Sequence, residues 1–210
     1  MNPYIIIVPV LFILGTICFR LWRNAALKSL SGKKVMLFGM PESGKTVLFN
    51  WLVYGKETVG YQETGQMVSE KSKKEPFTDK KCNITYSDMG GKDEFLNFNG
   101  EKYYLENDFI FFLFDSKRYF EEDKYRKATN IRLEFLSIMS KRKPKPILMI
   151  ASHKDCLTKE EQDGFSSFFR NQVQEYELAK NPNLVVCNLT NKDDVAFVFK
   201  EVKKTWNEWN

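Results

Sequence analysis

Eight consecutive residues combine the chemical groups that hold a phosphate. Gly39 to Thr46 reads Gly-Met-Pro-Glu-Ser-Gly-Lys-Thr, which matches the pattern GxxxxGK[ST]. In this pattern the glycines let successive backbone N–H groups point into one concavity, Lys45 neutralises the β and γ phosphates, and the Thr46 hydroxyl reaches Mg²⁺. A chance match occurs on the order of once per hundred chains of this length. We therefore predict a phosphate-binding loop, with these nucleotide-binding residues: Gly39, Pro41, Glu42, Ser43, Gly44, Lys45, Thr46 and Val47.

A carboxylate that could serve the same metal follows a strand-like segment. Asp88 to Gly91 reads Asp-Met-Gly-Gly, the one DxxG in the sequence, and residues 83–88 alternate as a strand does. A Mg²⁺-nucleotide site needs a second carboxylate at the end of a neighbouring strand. We expect Asp88 to hold the metal through water and the Gly91 amide to meet the γ-phosphate. A turn after a strand would explain the same four residues equally well.

The rest of the chain alternates apolar runs of strand length with helical stripes, which predicts an α/β fold. Strands are predicted at 34–38, 83–88, 109–114, 147–150 and 184–187, and a helix at 46–54 that Gly55 ends. This order predicts a mostly parallel sheet with helices on both faces, and ligands in such sheets lie at the carboxyl ends of the strands. Three helical stripes are expected to pack in the core: Tyr125, Ala128, Ile131, Phe135 and Ile138; Phe165, Phe169, Val173 and Tyr176; Val195, Val198, Val202, Trp206 and Trp209.

Together, Gly39 to Thr46, Asp88 to Gly91 and Ala151 to Asp155 resemble the motifs of a Ras-superfamily small GTPase. The sequence looks most similar to the Arf branch and, within it, to the β subunit of the signal recognition particle receptor, which has one N-terminal membrane helix before its GTPase domain. The resemblance extends over about residues 33–208. It implies a P-loop NTPase fold, GTP or GDP with Mg²⁺ as ligands, and a protein partner such as a targeting-receptor subunit.

The segment that would recognise the base departs from the family pattern. Where the family has Asn-Lys-x-Asp, this chain has Ser152, His153, Lys154 and Asp155. Asp155 can still accept both guanine N1–H and N2–H, an arrangement that adenine cannot match. The resemblance places His153 against the base or ribose edge, and Cys187 and Asn188 in the last base-contacting loop. The alternative is that Asp155 only caps the turn that follows it.

The catalytic residues also depart from the pattern. Ras and Arf proteins have a glutamine after DxxG that orients the attacking water, and this chain has Lys92 there. An ammonium cannot act as that glutamine does, so we expect hydrolysis to be slow or to depend on a partner. The resemblance gives Lys45 and Thr64 the roles at the γ-phosphate, and Thr46, Thr64 and Asp88 the roles at the metal. Thr58 is the alternative to Thr64.

The N-terminus differs in kind from the rest, because residues 4–19 carry no charge. This predicts a transmembrane anchor at 1–23, a juxtamembrane linker at 24–32 and the GTPase domain at 33–210. Cations follow the apolar run at five positions, which predicts a single-pass protein whose domain faces the cytosol: Arg20, Arg23, Lys28, Lys33 and Lys34. A cleaved signal peptide and a buried core helix are the alternatives.

Composition argues against nucleic-acid binding, a zinc cluster and a disulfide framework. A formal net charge of +5, from 32 basic and 27 acidic residues, implies no extended nucleic-acid footprint. The four cysteines form no CxxC pair, so neither a zinc cluster nor a disulfide framework is predicted. Three hypotheses remain: a membrane-anchored GTP-dependent switch or docking subunit in protein targeting or membrane trafficking, a P-loop ATPase or kinase, and a nucleotide-locked membrane adaptor without turnover.

Overall fold

The computed structural model describes residues 4–55, 77–79, 82–88, 100–176, 178 and 183–209. Of residues 4–12, 27, 29, 53, 54, 77–79 and 82–88 it describes only the backbone. The helices are α1 (Tyr4–Ser29), α2 (Lys45–Tyr54), α3 (Gly100–Glu106), α4 (Ser116–Glu121), α5 (Asp123–Arg142), α6 (Lys159–Val173) and α7 (Lys192–Trp209). The strands are β1 (Lys34–Gly39), β2 (Phe77–Asp79), β3 (Cys82–Asp88), β4 (Phe109–Asp115), β5 (Ile147–Ser152) and β6 (Leu184–Val186).

The six strands form one sheet in the order β2-β3-β1-β4-β5-β6. Only β2 runs antiparallel to its neighbour among these strands, and the other pairs are parallel. Parallel neighbours need crossover connections, which the helices between the strands supply. The α/β fold with a mostly parallel sheet is therefore confirmed.

The central strand β4 explains why helices cover both faces of the sheet. All seven of its residues are buried, and alternate side chains point to opposite faces. Phe109, Phe111 and Leu113 join a cluster with residues of α1, α2 and α7. Ile110, Phe112 and Phe114 join a second cluster with residues of α3, α4, α5 and α6. The aromatic residues of both clusters are core residues.

The predicted core face of α5 is wrong at two positions. Ile131 and Ile138 are 57% and 47% exposed, and the buried apolar positions of this helix are Tyr125, Leu133, Leu136 and Met139. Apolar residues occur on both sides of α5, so their spacing alone does not fix which side is buried. Arg132 is buried, and its guanidinium donates to the Ala128 carbonyl. Because a charged residue lies on the buried side, a hydrophobicity pattern does not identify that side correctly. Trp209, predicted in the core, is also exposed.

The helix α1 extends through residues assigned to the anchor and the linker, and its C-terminal part packs on the domain. Phe19 and Ala26 on this helix, and Leu30 just after it, are buried in the cluster with α2 and α7. Residues 24–29 of the predicted linker are thus helical. Within the described part of the chain, no helix is long and apolar enough to cross a membrane.

Candidate nucleotide-binding site

The predicted phosphate loop connects the end of β1 to the start of α2, as a phosphate site at a helix N-terminus requires. Gly39 has a φ of 143°, and a Cβ at this position would lie 1.9 Å from the Leu113 carbonyl oxygen. The next amide, of Met40, donates to that same carbonyl at 2.9 Å. A side chain at position 39 would therefore separate the loop from β4.

Inside the loop, the lysine ammonium is held by the loop's own backbone. Lys45 Nζ donates to the Met40 carbonyl at 2.6 Å, and Ser43 Oγ donates to the same oxygen at 2.7 Å. Both residues are buried, which places the ammonium within the concavity of the loop. Gly44, at φ 83°, is the N-cap residue of α2 and provides no side-chain cap. The N–H groups of the first turn are therefore placed to bind an anion. The other predicted residues of the loop are exposed or half-buried: Pro41, Glu42, Thr46 and Val47.

An arginine that sequence reasoning missed contacts this loop. Arg118 on α4 lies with its Nη1 3.3 Å from the Glu42 carboxylate, and its guanidinium stacks 4.4 Å from the ring centroid of Tyr125. Glu42 itself has a positive φ of 58°. Because Arg118 lies 76 positions along the chain from Glu42, no local pattern links the two residues.

The predicted metal carboxylate is at the expected end of its strand. Asp88 is the last residue of β3 and pairs in register with Leu37, two residues before Gly39 ends β1. The backbone of Asp88 thus lies at the edge of the sheet where the phosphate loop begins. Its side chain lies outside what the structure describes. So do the predicted residues Thr64 and Gly91, as well as the alternative Thr58 and the Lys92 that follows the DxxG motif.

At the end of β5, Ser152 and His153 form a polar cluster with Asp115. Ser152 is buried and its Oγ donates to the Phe114 carbonyl at 3.1 Å. His153 Nδ1 lies 2.9 Å from Ser152 Oγ and 3.3 Å from Asp115 Oδ2. The same Asp115 caps α4 by accepting from the Arg118 amide at 3.0 Å. The histidine side chain is 39% exposed, so one edge of its ring remains accessible.

Asp155 lies in the short 3₁₀ turn Lys154–Cys156 and is exposed. The helix that follows, α6, is capped instead by a reciprocal box in which Thr158 and Glu161 each bond the other's backbone. The cap of α6 therefore does not involve Asp155, and the alternative that Asp155 caps its own turn stays open. Lys154 Nζ approaches the carboxylate of Asp194 at 3.6 Å, which ties this turn to the start of α7.

The segment after β6 closes back onto the phosphate loop. Cys187 is buried, its amide donates to the Ala151 carbonyl at 2.9 Å, and burial raises the pKa of its thiol. The Asn188 amide oxygen accepts from the amide and the hydroxyl of Thr190, at 2.9 and 2.8 Å. The Leu189 side chain lies 2.7 Å from where a Cβ on Gly44 would be.

Three separate sequence motifs therefore converge on one place. A Cβ at Gly44 would lie 2.7 Å from the Leu189 side chain and 3.9 Å from that of Ser152. The phosphate loop, the turn at 152–155 and the segment at 187–189 thus line the same edge of the sheet. Among the residues that the structure describes, no group of three or more His, Cys, Asp and Glu could hold a metal ion. Of the predicted metal ligands, Thr46 is the second residue of α2 and Asp88 ends β3, so their backbones lie at the same edge of the sheet.

Comparison with known proteins identifies the family. The profile of the family described as Roc, the Ras of Complex domain of DAPkinase, matches residues 34–155, which is more than half of the chain. The chain belongs to the Roc family. The match begins at the first residue of β1 and ends at Asp155, so it spans the predicted phosphate loop, the DxxG motif and the turn at 152–155. No curated protein matches the chain.

Solved structures of low sequence identity have the same fold. The elongation factor SelB from Methanococcus maripaludis, bound to the GTP analogue GppNHp, aligns at 15% identity and a TM-score of 0.58 over 85% of this chain. This chain spans 34% of the length of that factor. The small COPII coat GTPase Sar1 from Encephalitozoon cuniculi, bound to GDP, aligns at 17% identity and a TM-score of 0.54 over 100% of this chain and 95% of that one. A probable GTP-binding protein, EngB, aligns at 15% identity and a TM-score of 0.55 over 83% and 99%. The fold is therefore that of a Ras-like GTPase domain, and the finer resemblance to the receptor β subunit stays a prediction.

Proposed function

We propose that this chain is a GTP-binding switch or docking subunit that is attached to a membrane and hydrolyses GTP slowly or only with a partner. The observation that carries the proposal is the convergence of the three motifs around Gly44. A loop that holds phosphates is common to many enzymes. A loop that lies next to both Ser152 and Leu189 brings the segments that the resemblance assigns to base recognition close to the phosphate site.

Guanine is the base that the site favours. Asp155 is exposed at the turn after β5, where its carboxylate can accept from both N1–H and N2–H of guanine. His153 replaces the lysine of the family pattern and presents a ring edge at the same turn. Cys187 and Asn188 lie in the segment next to this turn, where the Lys154 amide donates to the Cys187 carbonyl at 3.2 Å. Adenine lacks the paired donors, so it would leave the Asp155 carboxylate unmatched.

Magnesium and hydrolysis are separate parts of the proposal. Thr46 would bind Mg²⁺ directly and Asp88 through water, and the metal would neutralise charge between the β and γ phosphates. Thr64 would complete the γ-phosphate contacts together with Gly91. Lys92 follows the DxxG motif in place of a glutamine, which favours GTP retention over turnover. A nucleotide-locked adaptor is therefore the second candidate, and a P-loop ATPase or kinase the third.

Attachment to a membrane would occur through α1. Residues 4–19 are uncharged, and four large apolar side chains of this helix are exposed, beside the exposed polar residues Arg20, Asn24 and Lys28. Ile13, Leu14, Ile17 and Leu21 are 56%, 51%, 48% and 63% exposed. The cations that follow would keep the domain on the cytosolic side, where a subunit of a targeting receptor is the proposed partner. Flotation of the full chain with liposomes tests the membrane attachment. A chain that is not aggregated and still stays at the bottom of the gradient would contradict it.

Nucleotide identity is the decisive test. The full chain is purified in detergent, its bound nucleotide is released and identified by chromatography, and Asp155→Asn is tested for a shift toward xanthine nucleotide. We expect GDP or GTP in the wild type and a gain of xanthosine diphosphate binding in the variant. Bound ATP, or no shift in the variant, would overturn guanine specificity. Lys45→Ala should abolish binding of any nucleotide, which checks the loop alone. Turnover measured with and without a partner then separates a switch from an adaptor.

A further inference from the structure

The N-terminal helix contacts the phosphate-binding helix through one arginine. On α1, Arg23 donates from Nε to the Trp51 carbonyl at 3.2 Å and from Nη2 to the Leu52 carbonyl at 2.8 Å. Both carbonyls belong to the last turn of α2, which ends at Gly55 in the left-handed conformation. A Cβ on Gly55 would lie 3.2 Å from the Arg23 guanidinium carbon, so the guanidinium packs directly on the helix end.

This contact bears on the opposite end of α2, where phosphate would bind. The last carbonyls of a helix carry its partial negative charge, and of the two that Arg23 meets, the Trp51 carbonyl also accepts from the Gly55 amide at 3.1 Å. Arg23 supplies donors and a positive charge at that end. The other end begins with Lys45 and Thr46, whose groups are predicted to hold the phosphates and Mg²⁺. Both ends belong to one ten-residue helix, so a contact that holds the C-terminal end also restrains the placement of the first turn.

A second connection runs from the same helix through Trp51. Phe19 of α1 packs edge-to-face on Trp51, with ring centroids 5.4 Å apart. The Trp51 indole N–H donates to the Leu189 carbonyl at 2.7 Å, and the Leu189 side chain covers Gly44 of the phosphate loop. The helix α1 thus reaches the nucleotide site both along α2 and across the segment after β6.

We propose that Arg23 is a positioning residue for the nucleotide, and that α1 braces the phosphate loop through the C-terminal end of α2. The proposal rests on the guanine-nucleotide binding proposed above. It predicts that nucleotide is released faster when the brace is lost, although Arg23 is at the end of α2 remote from the predicted phosphate site. Any partner or surface that pulled α1 away from α2 would have the same effect.

The test measures release of a fluorescent N-methylanthraniloyl GDP from the full chain in detergent. We expect Arg23→Gln to release it about threefold to tenfold faster, the range that a partly buried cation at a helix end supplies. Arg23→Lys, which keeps the charge and can reach one carbonyl, should restore part of the difference. Arg20→Gln is the matched control, because Arg20 is an exposed cation on the same helix. Trp51→Phe, which removes the indole donor together with part of the buried ring, should also speed release.

Val202→Ala distinguishes a general loss of stability from a specific effect of Arg23 on nucleotide release. This variant creates a cavity at α7 in the same buried cluster. Urea unfolding is measured for each variant, and release should be faster in Arg23→Gln than in Val202→Ala at a matched unfolding midpoint. Equal release from those two variants, or release from Arg23→Gln equal to that from Arg20→Gln, would overturn the brace. If Arg23→Gln does not fold, unchanged release from both Arg23→Lys and Trp51→Phe overturns it. A wild type that binds no guanine nucleotide would instead overturn the proposed function.

Discussion

His153 Nδ1 lies 3.3 Å from Asp115 Oδ2, so the turn after β5 is joined to the end of β4 beneath the predicted base site. In the family pattern a lysine occupies the position of His153 and reaches along the base. Here the imidazole ring contacts two residues of the protein, because Ser152 Oγ also lies 2.9 Å from His153 Nδ1. The orientation of the imidazole is therefore set by the protein before any nucleotide binds.

This arrangement predicts which ring nitrogen carries the proton. Ser152 Oγ donates its hydrogen to the Phe114 carbonyl, and a carboxylate can only accept, so both neighbours of Nδ1 accept from it. Neutral His153 should be the Nδ1–H tautomer, with an unprotonated Nε2 free to accept from the ligand. The measurement is a long-range ¹⁵N–¹³C spectrum of the ring at a pH where it is neutral. His153 is the only histidine in the chain, so its signals are unambiguous.

Asp115→Ala tests whether the contact with Asp115 places the proton on His153 Nδ1. Asp163→Asn, at an exposed position of α6, is its control. The first should shift the tautomer population away from Nδ1–H, and the second should leave it unchanged. A wild type with its proton on Nε2 would show that Asp115 does not orient the ring.

Two glycines should respond in opposite directions to the same substitution. Gly39→Ala would place a Cβ 1.9 Å from a backbone oxygen of β4, where no flexible side chain can yield. Gly164→Ala meets nothing within 4 Å and lies inside α6, where alanine is favoured by about 1 kcal/mol. We expect Gly39→Ala to abolish nucleotide binding and lower the free energy of unfolding by more than about 2 kcal/mol. Urea unfolding of both variants checks this, and a stable, nucleotide-binding Gly39→Ala would contradict the described loop geometry.

Buried phenols should make the domain sensitive to alkali. Burial raises the pKa of Tyr104 to about 12 and also raises those of Tyr119 and Tyr125. A group whose pKa is higher in the folded state binds more protons there than in the unfolded chain. Its contribution to stability is complete below the unfolded value near 10 and is lost as the pH rises further. Each phenol should lower the free energy of unfolding by about 1.4 kcal/mol per pH unit.

The measurement is urea unfolding at several pH values above the ordinary pKa of lysine. Below that point Lys145 acts in the opposite sense, because burial lowers its pKa to about 8 and the unfolded chain binds its proton more tightly. The Lys145 ammonium donates to the carbonyls of Tyr104, Leu105 and Asn107. Tyr119→Phe should reduce the alkaline slope only in part, since burial also raises the pKa of Tyr104, Tyr125, Tyr176 and the Cys187 thiol, which remain. An unchanged slope would mean that Tyr119 ionises equally in both states.

The parts of the site that the sequence predicts are those with local geometry. The phosphate loop follows from eight adjacent residues, because Gly39 and Gly44 adopt positive φ values that few other residues tolerate. The strands follow from apolar runs, and β4 is buried on both faces as its composition indicates. The same reasoning finds Asp88 at the correct end of its strand.

Contacts between distant residues could not be predicted in this way. The pairs Glu42–Arg118, His153–Asp115 and Trp51–Leu189 join segments that have no common pattern in the sequence. The face of α5 is missed for a related reason, since tertiary packing places Arg132 inside and Ile131 outside. The contact of Arg23 with the end of α2 likewise joins distant residues, and the charge pattern alone assigns Arg23 to the membrane boundary.

The ion pair between Glu42 and Arg118 should affect the free energy of unfolding less than the backbone strain at Glu42 does. The two side chains are 67% and 36% exposed, and exposed pairs contribute about 1 kcal/mol at most. A non-glycine residue at φ 58° costs roughly 1–2 kcal/mol. Glu42→Gly removes both, so we expect the free energy of unfolding to rise slightly, by up to about 1 kcal/mol. Glu42→Gln keeps the strain and loses only the charge, and should change it by less than about 0.5 kcal/mol. Urea unfolding decides between the two effects: if Glu42→Gly destabilises the domain, the contact with Arg118 outweighs the strain and holds the phosphate loop in place.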